Sequence, residues 1–219
     1  MAKINAINNE SAELTIDPGA SGDSFIQFDI NTTGEFRIGV DDTDDSFRIS
    51  QGSALGTNDT FIMTDAGECT LPLQPAVLVT LDGTDSNKTG DGTTWTCQLD
   101  SEIYDQNNDF DTGTYTFTAP VTGRYMVIGS MQPQDQNSNH NNAVLEIVTS
   151  NRTYLLNQVD SYVIARNTAS EPLCIKGNCF ADMDASDTLT FELTISGGTK
   201  VIDIVGSSTR TKLNVYLVC

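Results

Sequence analysis

His140 is the only histidine of the chain, so catalysis by an imidazole base would have to use it. It lies in residues 132–142, a segment of Gln, Asn, Asp and Ser without an apolar residue after Pro133. A catalytic base needs a shaped pocket and a partner that orients it. This segment offers neither, and the sequence has no phosphate-binding glycine loop, serine elbow or metalloprotease helix motif. We therefore predict that the protein is not an enzyme.

Carboxylates are abundant, since thirty Asp and Glu oppose eleven Lys and Arg. Glycoside hydrolysis would need two carboxyls at a set separation in a groove, and no pair stands out. Calcium, which prefers oxygen ligands, could bind at two groups of aspartates: Asp105, Asp109 and Asp111, and Asp182, Asp184 and Asp187. We favour the interpretation that these aspartates are turn residues whose carboxylates accept hydrogen bonds from nearby backbone groups. No cofactor is therefore predicted, and calcium binding stays an alternative.

The net charge of −19 argues against nucleic acid and against an anionic membrane surface as partners. The first fourteen residues lack an apolar run of signal-peptide length. The sequence also contains no stretch of about 18 apolar residues, the length that spans a bilayer. We expect synthesis in the host cytosol without a signal peptide, and no membrane insertion. For the five cysteines, at positions 69, 97, 174, 179 and 219, free buried thiols are expected.

Two polar loops, residues 84–94 and 132–142, carry the residue types that recognise glycans or proteins. Amide side chains donate and accept hydrogen bonds as sugar hydroxyls do, and loops on a rigid β scaffold are common binding sites. The alternative for both loops is that they are solvated and bind no ligand. The alternative for the tryptophan is that its side chain is buried in the core. The candidate ligand-binding residues are Asn87, Lys88, Asp91, Trp95, Gln132, Gln134, Asp135, Gln136, Asn137, Asn139, His140 and Asn141.

The elements that would hold these loops are β-strands. Apolar residues rarely recur at helical spacing, whereas Thr, Val, Ile and Phe alternate with polar residues between Gly, Asn and Asp clusters. Such strands pack one face on a core and leave the other in water. About ten are predicted, at residues 77–81, 94–99, 114–119, 124–131, 143–149, 153–156, 162–165, 173–181, 188–195 and 213–218, with 200–204 as a further candidate.

The composition changes near Pro72 and Pro75. Before this point, short apolar triplets begin at Phe28, Phe36, Phe47 and Phe61, separated by Gly, Asp, Asn or Thr at irregular spacing. Each triplet predicts a short strand that needs neighbours, either in its own chain or in identical chains wound about an axis. The acidic run 41–45 is expected to be a solvated turn, with a calcium loop as the alternative. We predict a β-rich stalk over residues 1–72 and a head domain over 73–219.

Residues 104–125 read YDQNNDFDTGTYTFTAPVTGRY. This resembles the signature of the complement component 1q globular head, in which a Tyr/Asn/Asp-rich turn precedes Thr-Gly, Phe-Thr-Ala-Pro and Gly-x-Tyr. Residues 180–189 and 213–217 resemble that family's late turn and closing strand, with Ser186 where Gly is usual. Pro120 and Gly123 are expected to form a tight turn, with Gly at positive φ. The matching positions are Gly113, Phe117, Ala119, Pro120, Gly123 and Tyr125.

The resemblance implies an all-β, ten-stranded jelly-roll sandwich, shared with tumour necrosis factor, that assembles as a homotrimer. Phe117 and Tyr125 would lie either in the core or at the subunit interface. The N-terminal part, notably residues 47–75, is similar in style to phage and viral fibre shafts.

Together the two resemblances imply a non-catalytic receptor-binding head of a phage or virus tail fibre or spike, located in the virion. Its partners would be its own copies, a cell-surface glycan or protein, and other virion tail or spike proteins. One alternative is a purely structural virion or surface decoration trimer. An extracellular polysaccharide hydrolase is the other.

Overall fold

The computed structural model describes residues 15–19, 21–30, 34–160 and 173–219. Every regular element in these ranges is a β-strand. No helix in the described ranges could cross a membrane. The chain divides into two compact units, residues 1–73 and 74–219. The strand predicted at 162–165 lies outside the described residues.

The N-terminal unit contains one five-stranded antiparallel sheet in which successive strands are neighbours. Each apolar triplet of the sequence lies in one of its first four strands, and these strands pair within the chain. Asp42 to Asp45 form the expected exposed turn between the second and third strands, but Asp41, also predicted in this turn, is buried at the end of the second strand. The strands are β1 (Ser24–Ile30), β2 (Gly34–Asp41), β3 (Ser46–Gln51), β4 (Asp59–Met63) and β5 (Cys69–Thr70).

The C-terminal unit contains two large antiparallel sheets. The first, the front sheet, has the spatial order β16 (Ile175–Met183), β12 (Gly123–Met131), β19 (Lys212–Leu217), β6 (Ala76–Thr80), β9 (Ser101–Asp105). The second, the back sheet, has the order β10 (Phe110–Asp111), β11 (Thr116–Thr118), β17 (Thr188–Ser196), β14 (Asn142–Thr149), β15 (Thr153–Asp160), and β8 (Thr94–Thr96) also pairs with β17. A small third sheet has the order β13 (Pro133–Gln134), β18 (Ile202–Ile204), β7 (Asp85–Thr89).

The chain alternates between the front and back sheets. It passes from β10 and β11 in the back sheet to β12 in front, to β14 and β15 behind, to β16 in front, to β17 behind and to β19 in front. This double Greek-key order defines a jelly roll. The predicted ten-stranded jelly-roll sandwich is therefore confirmed. Of the four strands described in this unit outside these ten, β8 and β18 lie within the strands predicted at 94–99 and 200–204, whereas β7 and β13 were not predicted.

The core lies between the two large sheets and is built from alternate residues of facing strands. Residues 123, 125, 127, 129 and 131 of β12 are buried, and so are residues 189, 191, 193 and 195 of β17. The rings of Phe117 and Tyr125 meet edge to face at 5.5 Å and 65°, and both are fully buried. These two aromatic residues therefore belong to the core and not to a subunit interface.

Gly123 is required for a different reason from the one expected. It begins β12 and does not have positive φ. A Cβ at this position would lie 2.7 Å from the carbonyl oxygen of Cys219 and 2.5 Å from the Leu217 side chain. The closing strand therefore approaches β12 so closely that only glycine fits.

The five thiols are free, as predicted, but most of them are not buried, although burial was predicted. Cys69, Cys174 and Cys219 are exposed, Cys97 is fully buried and Cys179 is half-buried against the core. Burial raises the pKa of the Cys97 thiol well above its usual range and that of Cys179 to about 11. The thiols of Cys97 and Cys179 therefore stay protonated and pack as small apolar groups.

Candidate functional site

The outward side of the front sheet carries apolar residues in two neighbouring rows, and Asn178 and Asn214 flank Ile128 in one of them. The cross-strand register places Met126 between Phe180 and Tyr216, and Ile128 lies beside Met126 on the same side of β12. Leu78 pairs with Tyr104 at the far edge. Side chains on one face of a sheet alternate with buried ones, so these residues face away from the core. We call this surface the apolar outer face: Leu78, Tyr104, Met126, Ile128, Phe180 and Tyr216.

Large parts of this surface are open. Tyr104, Ile128, Phe180 and Tyr216 are between 41% and 57% exposed. A polar row of Ser130, Lys176 and Lys212 borders the surface on one side. On the other side Arg124 pairs with Asp182 across the strands. An apolar centre with a polar rim is the usual anatomy of a protein–protein interface.

The two polar loops identified in the sequence meet at the small third sheet. Asp203 of β18 accepts hydrogen bonds from the Asn87 backbone N–H at 2.8 Å and from the Ser86 hydroxyl at 3.2 Å. Gln134 of the other loop pairs with the same residue across the ladder. Residues 84–94 and 132–142 are therefore held by one strand, β18.

His140 is the centre of this arrangement, and it is fully buried. Its Nδ1 accepts the Asn137 backbone N–H at 3.0 Å, and its Nε2 lies 3.3 Å from the Thr199 carbonyl oxygen. This geometry fits the tautomer in which Nε2 carries the proton and donates it to Thr199. With both nitrogens engaged, the imidazole positions the loops and is not accessible as a base.

Two glycines make room for the imidazole. A Cβ on Gly198 would lie 2.4 Å from His140 Nε2, and one on Gly90 would lie 2.9 Å from the same atom. Gly198 donates its N–H to the Gly90 carbonyl oxygen at 2.9 Å. Thr89, also fully buried, accepts the Ile195 N–H at 3.0 Å. The segments 89–93, 137–140 and 195–199 therefore form one connected loop cluster.

The candidate ligand-binding residues divide into three groups by exposure. Gln132, Gln136 and His140 are buried, so the interpretation of these three as contact residues is corrected: they support the loop cluster from within. Gln134, Lys88 and Trp95 are half-buried. The exposed members are Asn87, Asp91, Asp135, Asn137, Asn139 and Asn141.

Trp95 is not an open stacking platform for a sugar. Its ring packs against the hydrophobic core, in line with the alternative stated for it. The Lys88 ammonium lies 6.0 Å from the ring centroid and also 3.4 Å from the Asp85 carboxylate. Lys88 therefore covers part of the ring that a ligand would need to reach.

The predicted aspartate turns are present. Asp105 accepts the N–H groups of Asp109 at 3.0 Å and Phe110 at 2.8 Å, and Asp187 accepts the Asp184 N–H at 2.7 Å. Asp109 differs, because its Oδ2 is buried and accepts no hydrogen bond from the described residues. Burial and, second, the Asp105 carboxylate raise the pKa of Asp109 to about 6.

A further acidic group lies in the N-terminal unit. Asp23, Asp41 and Asp42 bring one carboxylate oxygen each within 4.8 Å of one another. Asp42 accepts the Gly22 N–H at 2.7 Å, and Asp41 is 3.3 Å from the Arg48 guanidinium. Asp23 accepts the Asp42 N–H at 3.2 Å, so each of the three carboxylates already has a partner in the chain and the geometry does not require an ion.

Sequence reasoning missed the apolar outer face. The available signal was a run of apolar residues without alternation, at 125–128 in β12 and at 215–218 around the end of β19. A strand that is apolar on both sides indicates burial on both sides. That pattern could have shown that β12 and β19 pack against a partner on their outward side as well as against the core.

No protein-family model and no curated protein matches the chain. Among solved structures, the globular domain of the zebrafish complement 1qA protein is similar, at 16% identity and a TM-score of 0.46, over 67% of this chain and 98% of that one. Murine APRIL at pH 5.0 is 9% identical with a TM-score of 0.47, over 66% and 99%. The Eiger TNF of S. frugiperda is 12% identical with a TM-score of 0.47, over 67% and 93%. The jelly-roll assignment itself rests on the strand order and register.

Proposed function

We propose that the C-terminal unit is a non-catalytic binding head that assembles as a homotrimer and recognises a cell-surface glycan or protein. The apolar outer face of the front sheet would be the surface through which the copies associate. The exposed candidate residues would contact the receptor: Asn87, Asp91, Asp135, Asn137, Asn139 and Asn141. Three copies raise avidity without new contacts at each site.

The observation that carries the proposal is the apolar outer face. Soluble monomers rarely expose large groups of apolar side chains on one face, and such groups mark interaction surfaces. Two tyrosines and a phenylalanine are among its members, and aromatic residues are enriched in interfaces. The polar rim would remain in contact with water and fix the register of the copies.

The loop cluster supports the receptor-binding part of the proposal. Its exposed side chains are amides and carboxylates, which match the hydroxyl groups of a glycan or the polar surface of a protein. The Thr93 hydroxyl and N–H hold the pKa of Asp91 below its usual range, so this exposed side chain stays ionised. The buried hydrogen bonds beneath the loops reduce the ordering that binding would require.

We extend the proposal to the tip of a phage or virus tail fibre or spike. The support is the similarity in style between residues 47–75 and fibre shafts. In the virion, other tail or spike proteins would be neighbours of the N-terminal unit. A purely structural trimer would share the association surface and lack receptor binding, so a binding experiment separates the two.

The test compares binding of the full chain to a glycan array and to a panel of cells. Removing two exposed amides, with Asn87→Gly and Asn139→Ala, should weaken binding at least tenfold. Glycine at 87 keeps the positive φ of 56° that this position requires. Asn58→Gly, at φ 55° in the N-terminal unit, is the matched control and should bind normally. Absence of binding to every glycan and cell would contradict the receptor role.

A further inference from the structure

The two sides of the N-terminal sheet have opposite character. The register aligns Ile26, Ile38, Ile49 and Phe61 in one row across four strands. Phe28 pairs with Phe36 in the next row, and Val40, Phe47 and Met63 form the row on the other side. We call this side the N-terminal apolar face: Ile26, Phe28, Phe36, Ile38, Val40, Phe47, Ile49, Phe61 and Met63.

The opposite side of the sheet is charged and internally paired. Arg48 forms ion pairs with Asp41 at 3.3 Å, Asp44 at 2.6 Å and Asp59 at 2.5 Å. On the same side, the Arg37 guanidinium lies 4.5 Å from the centroid of the Phe25 ring. Asp41, Ser50 and Asp59 are buried on this side, where the ion pairs and the hydrogen bond from Ser50 to Asp59 satisfy their polar groups. The polar groups of this side are therefore already paired within the chain.

The N-terminal apolar face is open to solvent. Ile26, Phe28, Phe36, Val40 and Met63 are between 38% and 56% exposed. The strands that the structure describes in this unit form one sheet only, and a sheet must bury its apolar side against another layer to be stable. The register also places Ser24, Gln51 and Cys69 on this side, and none of the three carries a charge that would keep the surface in water.

The size of the face indicates which partner covers it. With strands about 4.8 Å apart and a rise of about 3.3 Å per residue, the face measures roughly 300–400 Å². An independent, stable complex buries about 800 Å² per partner. A surface this small favours a partner that is already held nearby by another interface.

Copies of the same chain meet this condition. Only residues 71–75 separate β5 from β6, so assembled heads would keep their N-terminal units close to one another. A short tether gives an effective concentration in the millimolar range. We propose that the N-terminal apolar face packs against the same face of other copies of the chain, as a second assembly interface. This inference rests on the proposed trimeric head.

A photo-crosslinking experiment tests the inference on the full chain. Phe36 is replaced by p-benzoylphenylalanine, and chains with natural and with heavy nitrogen are mixed, unfolded and refolded together. After irradiation, mass spectrometry of the peptides should show mixed-isotope crosslinks between position 36 and residues 24–63. Crosslinks confined to one isotope, or joining residue 36 to residues 1–14 or to the head, would overturn the inference.

A pair of adjacent substitutions adds a matched control. Phe28→Glu places a charge on the N-terminal apolar face, whereas Gln27→Glu places the same residue on the charged side. We expect Phe28→Glu to raise amide exchange in residues 24–63 at least tenfold and Gln27→Glu to leave it unchanged. Equal exchange in both variants would overturn the inference, because glutamate at an open position costs little.

The solution mass, measured in parallel, separates the two proposals. A trimeric chain without mixed-isotope crosslinks contradicts the second interface alone. A monomeric wild-type chain contradicts the trimeric head and, with it, the inference drawn from it.

Discussion

The backbone of Gly198 is in direct contact with the imidazole of His140, since a Cβ at Gly198 would lie 2.4 Å from Nε2. The fully buried ring holds two loops that are distant in sequence. The position of the candidate receptor surface therefore depends on the absence of one methyl group.

Gly198→Ala should displace the imidazole and destabilise the head by about 1–3 kcal/mol, as overpacking of a filled site does. The matched control is Gly83→Ala, where a Cβ would meet nothing within 4 Å. Urea unfolding of both variants measures the difference. If the two variants unfold at the same urea concentration, the contact does not constrain the loops.

Ser186→Gly should stabilise the head by about 1 kcal/mol, because Ser186 has a φ of 75°, where residues with a Cβ are strained. Its backbone N–H, which donates to the Ala119 carbonyl oxygen at 2.7 Å, is unaffected by the change. Ser138→Gly, at an exposed residue without positive φ, is the control and should not stabilise. A lower melting temperature for Ser186→Gly would refute this prediction.

Asp109→Asn should stabilise the head at neutral pH. Folding raises the pKa of Asp109 from 3.8 to about 6, so its contribution to stability is fully present below about pH 4 and is lost as the pH rises through 6. After allowance for solvent screening, the gain on substitution is on the order of 1 kcal/mol at pH 7.5.

Thermal unfolding of wild type and Asp109→Asn at fixed protein concentration measures this effect. The advantage of the variant should be largest at pH 7.5 and disappear near pH 4. A constant difference between pH 4 and 7.5 would show that the effect does not arise from ionisation.

Sequence alone predicted well the strands in which apolar and polar residues alternate between the core and water. The strand predicted at 188–195 is observed as Thr188–Ser196, because its apolar residues alternate between core and water. In contrast β7, with the sequence DSNKT, was not predicted, since it is polar and its pairing is set by β18. A polar strand without alternation, held only by a partner more than a hundred residues away, leaves no local pattern that predicts it.

The same limit explains the candidate site. The polar residues of 132–142 predicted an exposed loop, yet His140 is buried by Gly90, Gly198 and Thr199, which come from other parts of the chain. Composition indicated the loop as a surface for recognition. It could not indicate which members face the solvent, because the shielding groups are distant in sequence.

The apolar outer face makes the account testable at a single residue. Tyr216→Arg places a charge in its centre and should dissociate the heads. Thr188→Arg, at an exposed residue of the back sheet, is the matched control and should leave the assembly intact. Sedimentation equilibrium reports the solution mass of each variant beside that of the wild type.

The mass of the wild-type full chain at micromolar concentration is the most direct test of the trimeric head. We predict a mass three times the 23.6 kDa of the chain, reduced by Tyr216→Arg and unchanged by Thr188→Arg. A wild-type mass equal to one chain across the concentration range would contradict the account.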